Sequence, residues 1–275
     1  MKRIPKTRPA DSVRIFQPLA HQPAYKAVSE VMEKSIVSGQ LKPGTALPAE
    51  LELAAQFRVN RSTIREAIRQ LEQEGLVERR GGKRLYVALP GLFDLAPRAA
   101  RSLVLHQVTF QELWEVATVV EPEAARLAAS RADEADLSEL VANVATCQAL
   151  LKGPRDKAAA ARQAALDVEF HALVARASRN RSLMLAREPF SLLYLPALKL
   201  LFASLPRSAE RNVQAHEIVV AALRKRDAKR AEEWMRKHLI DFRAGFVKAG
   251  LPMDAPIDMM TGERAAIGQG SARAA

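Results

Sequence analysis

The sequence is short of several things that would each open a class of function. It has a single cysteine, Cys147, in 275 residues, so no intrachain disulfide can form, and neither a thiolate zinc site nor an oxidised secreted scaffold is available. Aromatic residues make up only 5% of a chain that is 48% hydrophobic. With Ala and Leu prevailing in the second half, this favours packed helices over a β-sandwich rich in Val, Thr and Tyr. No apolar run approaches the roughly 20 residues needed to cross a bilayer. The basic N-terminus, MKRIPKTRPADSVRIFQ, lacks the apolar stretch of a signal peptide. A cytoplasmic protein without a membrane partner is expected.

What is abundant is positive charge. Lys and Arg outnumber Asp and Glu by 42 to 31, a net charge of +11, and a field of that sign draws polyanions. The excess is uneven: residues 1–90 hold 16 basic against 9 acidic side chains, so a polyanion is expected to meet the N-terminal third. The length suits two domains.

Residues 1–20 carry three prolines and no periodicity. They read as a flexible basic arm whose Lys2, Arg3, Lys6 and Arg8 either touch phosphates or are simply solvated. From Tyr25, the spacing of Val28, Val31, Met32, Ile36 and Val37 predicts a helix, which Gly39 and the Lys42-Pro43-Gly44 turn end. Pro48 and Glu50 open a second helix that runs through Phe57. Asn60 is a good N-cap for a third, with Ile64, Ala67, Ile68 and Leu71 on one face and Gly75 as its stop. Leu76 to Arg80 and Leu85 to Val87, joined at Gly81-Gly82, read as a hairpin. Three helices and a hairpin make a winged helix-turn-helix over residues 21–90.

Beyond a linker at 91–98, the pattern is helical to residue 249. Helices are expected to start near Pro97, Thr109 (with a capping box to Glu112), Asp133, Pro154, Arg181, Ser208 and Asp227. Pro189 and Pro196 fall inside the helix from Arg181 and predict a kink or break there. Residues 250–275 have no period and read as a disordered tail. The fold class is therefore mostly α: the winged helix-turn-helix, then an antiparallel bundle of six to seven helices over 99–249.

A helix offered to the major groove needs polar donors in its first turn, because base edges and phosphates approach that end and the helix dipole favours an anion there. Asn60-Arg61-Ser62-Thr63-Ile64-Arg65 supplies them. Arg61 and Arg65 share a face, so one can fork onto guanine while the other holds a phosphate, and Ser62 or Thr63 can donate to backbone oxygens. Gly81-Gly82-Lys83-Arg84 would then reach the adjacent minor groove. On spacing alone, these arginines are equally a solvated face and the glycines a plain turn.

The segment as a whole resembles the GntR family of bacterial repressors. The match runs through Ile36-Val37-Ser38-Gly39-Gln40-Leu41-Lys42-Pro43-Gly44, Leu47-Pro48-Ala49-Glu50, Leu53-Ala54 and Val59 to Ala67, then Leu71, Glu74 to Val77 and Val87. The resemblance implies double-stranded DNA as partner, in the form of a palindromic operator bound by a homodimer, with contacts from Arg61, Thr63, Arg65 and the wing glycine Gly82, and Lys83 nearby. Two positions depart from the pattern: Leu51 stands where many relatives have arginine, and Arg84 replaces a common wing-tip glycine.

In the second half, Asp167 and His171 lie four apart on a predicted helix, half of a metal site that uses no cysteine, while His216 and His238 sit beside apolar positions of the last two helices. A histidine on an apolar face is more often a hydrogen-bonded core residue than a ligand, so spacing alone leaves both readings open. This order of residues, with Glu121-Pro122, Ala124 to Ala129 and Ser178-Arg179-Asn180, resembles the FCD domain that accompanies GntR winged helices in the FadR-type subgroup. The resemblance implies that Asp167, His171, His216 and His238 bind one divalent ion (zinc, nickel or manganese) beside a small-molecule effector such as a carboxylate. An arginine commonly precedes the Glu-Pro motif by four residues; here that position is Ala117. An effector-responsive repressor is expected rather than an enzyme. The rival readings are a metal-free sensor of a large, acyl-CoA-like ligand, and a metal-dependent hydrolase using Glu169 or Glu217 as base.

Overall fold

The computed structural model describes residues 22–82, 84–89 and 92–257, and the chain divides into two units, residues 1–90 and 91–275. The first is organised around α3 (Arg61–Glu74). Ile64, Ala67, Ile68 and Leu71 form one stripe of this helix and are almost completely buried. Around it close Val28 and Met32 of α1 (Ala24–Val37), Leu53 and Ala54 of α2 (Glu50–Phe57), and Val77 and Leu85 of strands β1 (Val77–Arg80) and β2 (Arg84–Val87). Asn60 starts α3 by accepting the Thr63 amide at 2.8 Å, and Gly75 ends it with φ +76°, a left-handed conformation that costs glycine little. The strands pair antiparallel from Val77↔Val87 to Arg80↔Arg84. Gly81 and Gly82 turn between them at φ +60° and +77°.

The second unit holds α4 (Leu92–Leu105), α5 (Phe110–Arg131), α6 (Glu134–Leu151), α7 (Lys157–Ala177), α8 (Arg181–Ser204), α9 (Pro206–Arg224) and α10 (Ala228–Lys248). Polar caps begin most of them: Thr109 and Asp133 in reciprocal capping boxes with Glu112 and Asp136, and Asp156, Asn180 and Asp227 as single caps. The main core is small-residue on one side and large on the other. Ala124, Ala125, Ala128 and Ala129 of α5 belong to the same cluster as Phe170, Val219, Leu223 and Met235, so helices pack with few aromatic side chains. Thr109→Ala removes one cap of α5 and is expected to cost about 1 kcal/mol, roughly 2–4 °C in a unit of this size. Thermal denaturation checks it, with Thr109→Ser retaining the wild-type value.

Three expectations need correction. The segment 91–98, read as a linker, is mostly the start of α4, which begins at Leu92 and contains Pro97. The missing proline bond is offset because Ala96 and Ala100, one turn apart, are buried, with Ala100, Leu103 and Val104 packed in a cluster with Leu113 and Leu193. Helix α8 is unbroken through Pro189 and Pro196. The carbonyls deprived of a donor, four residues back, belong to Leu185 and Leu192, which are exposed, so water can bond them. The tail begins ordered: Met253 and Ile257 are buried, the Gln111 amide donates to the Met253 carbonyl and the Ile257 amide to that of Val108, both at 2.9 Å. The rest of the tail from 258, the arm at 1–20 and Lys83 lie outside the described residues.

No single described helix is long and apolar enough to cross a membrane; α8 and α9 meet length and composition only as a pair bent by 118°.

Candidate metal centre and nucleic-acid interface

Helix α7 places Asp167 and His171 one turn apart on its buried face; α9 adds His216 and α10 adds His238. One ligating atom from each of the four lies within 4.8 Å of the others, and all four side chains are buried. His171 Nε2 is 3.1 Å from His238 Nε2. His216 Nε2 is 3.4 Å from Asp167 Oδ1 yet, among the described residues, it makes no hydrogen bond, and neither does its Nδ1. An imidazole 0% exposed with both nitrogens unpartnered is costly, by about 1–3 kcal/mol for each lost bond. A metal ion is the partner that such a lone pair fits. His216 is held in orientation by the Phe170 ring, stacked at 3.6 Å between centroids.

The electrostatics match a ligand set. Burial pushes His216 well below the usual imidazole range, and burial with the charge of His171 pushes His238 down to about 3. Both are therefore neutral at neutral pH, the form that ligates. Burial also pushes His171 down, but Glu121 beside it outweighs this and raises it; a proton on its Nε2 and a divalent ion are alternative partners for the same lone pairs. Asp167 is pushed up by burial while accepting from Asn212 at 2.8 Å.

Around the four stands a supporting shell. His171 Nδ1 lies 3.1 Å from Glu121 Oε2, which is how a carboxylate fixes the tautomer and direction of a ligating ring. Burial pushes the Glu121 carboxyl up, but Arg187 and His171 more than reverse this and hold it at about 2. Arg187 Nε donates to its other oxygen at 2.8 Å. This buried Arg187–Glu121–His171 chain crosses from α8 through α5 to α7. Glu169 and Glu217, the bases a hydrolase would need, point elsewhere: Glu169 accepts from Asn143 and Glu217 from Gln148, and neither lines the cavity that Asp167, His171 and His238 face. Cys147 is buried in the core, its thiol pushed up to about 12 by burial, and takes no part.

At the N-terminus of α3 the expected contact residues lie together but are not idle. Asn60 Oδ1 accepts from the hydroxyls of Ser62 and Thr63, at 2.7 and 2.8 Å, so Asn60 is a cap and both hydroxyls are engaged. Arg61 and Arg65 are exposed and converge on one carboxylate, Glu50 of α2, at 3.6 and 2.8 Å; Arg79 of β1 joins it at 3.3 Å. The Arg65 hydrogen bond, against a smaller effect of burial, holds Glu50 below the usual carboxylate range. Leu51, next to it, is exposed. Gly82 lies in the wing turn, but Arg84 is one residue into β2, opposite Arg80, so it is a strand residue rather than part of the tip.

Two features escaped the sequence reading. Glu50 gives no sign of its three partners, because the turn that brings α2 to α3 brings them together. Arg187 lies 66 residues from Glu121, and nothing in its local sequence, where Glu188 follows it, marks it as buried with a distant partner.

The comparisons with known proteins agree with both halves. Residues 24–87 match the family described as bacterial regulatory proteins, gntR family, and residues 112–241 match the FCD domain. The HTH-type transcriptional regulator LutR of Bacillus subtilis is 30% identical over 208 residues, 74% of this chain and 92% of that one. This chain belongs to the GntR family. The GntR regulator described here is also 33% identical over 176 residues to an HTH-type transcriptional regulator of Mycobacterium tuberculosis, covering 64% of this chain and 70% of that one. It is 27% identical over 234 residues to the repressor NanR of Cronobacter sakazakii, 81% and 85% of the two chains. Its fold is shared with a solved Streptococcus agalactiae GntR protein, at TM-score 0.57 and 24% identity, covering 80% of this chain and 99% of that one. It is thus a transcriptional regulator with an FCD effector-binding domain, not an enzyme, and its buried His/Asp cluster can hold a metal ion.

Proposed function

We propose that this GntR regulator is a homodimeric repressor that grips a palindromic operator with the α3 N-terminus and wing, and releases it when a small metabolite binds beside a divalent ion held by Asp167, His171, His216 and His238. The observation that carries the metal half is the fully buried, unpartnered His216 aimed at Asp167. Zinc, nickel and manganese all suit imidazole with carboxylate. When bound, the ion supplies a Lewis-acidic site for an oxygen ligand; Glu121 keeps His171 directed at it, and Arg187 keeps Glu121 charged. On the DNA, Arg65 reads a base edge, Arg61 and Thr63 meet the backbone, Asn60 and Ser62 preserve the turn that presents them, and Gly82, Lys83 and Arg84 serve the wing.

The metabolite shifts DNA binding only by favouring one arrangement of the dimer over the other. Selecting bound genomic fragments yields the operator, and metabolites suggested by neighbouring genes are then tested for its release. At least one is expected to change operator affinity about 5- to 150-fold in the wild type and not in His216→Ala/His238→Ala. A metabolite that acts equally on both proteins contradicts the reading, and would favour a metal-free sensor of a large ligand. Glu121→Gln keeps the size of the side chain but removes the charge that fixes His171, and is expected to weaken metal binding about 10- to 100-fold in a competition titration with a chromophoric chelator.

A further inference from the structure

The cavity that the cluster faces is too small for a metabolite. It leaves about 40 Å³ for the centres of water molecules, space for two or three waters. Ala117 in its wall brings no charge. Arg187, the single guanidinium there among the described residues, has its three nitrogens engaged by Glu121, Glu188 and the Val168 carbonyl.

A second cleft, of about 330 Å³ on the same measure, lies where α8 turns into α9 and against α10. It shares Asn212, His238 and Phe242 with the small cavity, so its floor reaches the cluster. Its volume is in the range of small-metabolite sites, roughly 300–1,000 Å³. Its mouth carries Arg207, Arg211 and Lys248. Arg211 is paired with Asp241, whereas Arg207 and Lys248 have no ion pair among the described residues. The first turn of α9, which starts at Pro206, adds the positive end of a helix dipole. Between mouth and floor the wall is apolar, with Leu201, Phe202 and Phe242. With a divalent ion in the cluster, two positive poles would be separated by a hydrocarbon surface, a pattern that a molecule with one acid group satisfies only by half.

We propose that this cleft is the effector site and that the effector class is a small metabolite with two acidic groups, one directed past His238 to the cluster and the other held at the mouth by Arg207 and Lys248. The inference rests on the metal reading above. Calorimetric titration of the nickel-loaded full chain tests it with matched probes: succinate, glutarate and adipate against butanoate, pentanoate and hexanoate. At least one diacid is expected to bind at least about tenfold more tightly than its monoacid. Arg207→Ala/Lys248→Ala should remove that advantage of the diacid over its monoacid, with nickel content unchanged. Diacids no tighter than monoacids throughout, or a diacid indifferent to the double variant, overturn the inference while leaving the metal reading intact. A chain that takes up no nickel overturns both.

Discussion

Stripping the divalent ion proposed for the His/Asp cluster is expected to lower the melting temperature of the helical unit by roughly 10 °C. The four proposed ligands come from three helices and meet only in the folded chain, so an ion held by them would bind the native state almost exclusively. At about a thousandfold excess of ion over its Kd, such binding stabilises by about 4 kcal/mol. In a unit of 150–250 residues each kcal/mol moves the midpoint by about 2–4 °C. Calorimetry with and without a chelator reads the difference. His216→Ala/His238→Ala should show no difference between the two conditions, whatever its own midpoint, since loss of the His216–Phe170 stack changes its stability independently. Superimposable scans of the wild type would mean that no ion is bound natively.

Arg65→Ala is expected to weaken operator binding about 5- to 150-fold, the equivalent of about 1–3 kcal/mol for a side chain proposed to read a base edge. The Glu50 ion pair does not hold Arg65 back. Its side chain is 55% exposed, and exposed pairs contribute only about 0–1 kcal/mol, less than a bidentate base contact provides. For the same reason the variant's folding stability should stay close to that of the wild type, which separates lost recognition from lost structure. Arg61→Ala, a backbone contact in this account, should instead lower affinity for all sequences and reduce the salt slope by about 1. Anisotropy titrations on operator and scrambled duplex at several salt concentrations distinguish the two. Unchanged operator affinity in Arg65→Ala removes it from the interface.

Much of this was legible in the sequence because it is local. The Ile64, Ala67, Ile68, Leu71 stripe, the Asn60 cap and the Thr109–Glu112 box are set by residues within a turn or two of one another, and each stands as the spacing predicts. The Asp167–His171 pair was visible as an i, i+4 step; its convergence with His216 and His238 came from the family pattern. What spacing could not show depends on distant partners. Pro97 read as the end of a linker and Pro189 and Pro196 as a kink or break because their cost is local, while the burial that offsets it, and the exposed carbonyls that water can bond, are tertiary. Met253 and Ile257 looked like tail residues because their partners lie on α4, α5, α8 and α10. Arg187 and Glu50 carry charges whose role is decided by what the fold places opposite them. The cleft above His238 is a property of the α8–α9 bend, which no short motif encodes.

The claim on which the rest depends is that the buried His/Asp cluster is a metal site, and elemental analysis of the purified full chain tests it most directly. After dialysis against zinc, nickel or manganese and removal of loosely held ions, the account predicts about one divalent ion per chain, absent from a His216→Ala/His238→Ala variant that keeps its helical circular dichroism. A wild-type protein that retains none of the three ions, or a double variant that retains as much as the wild type, contradicts it.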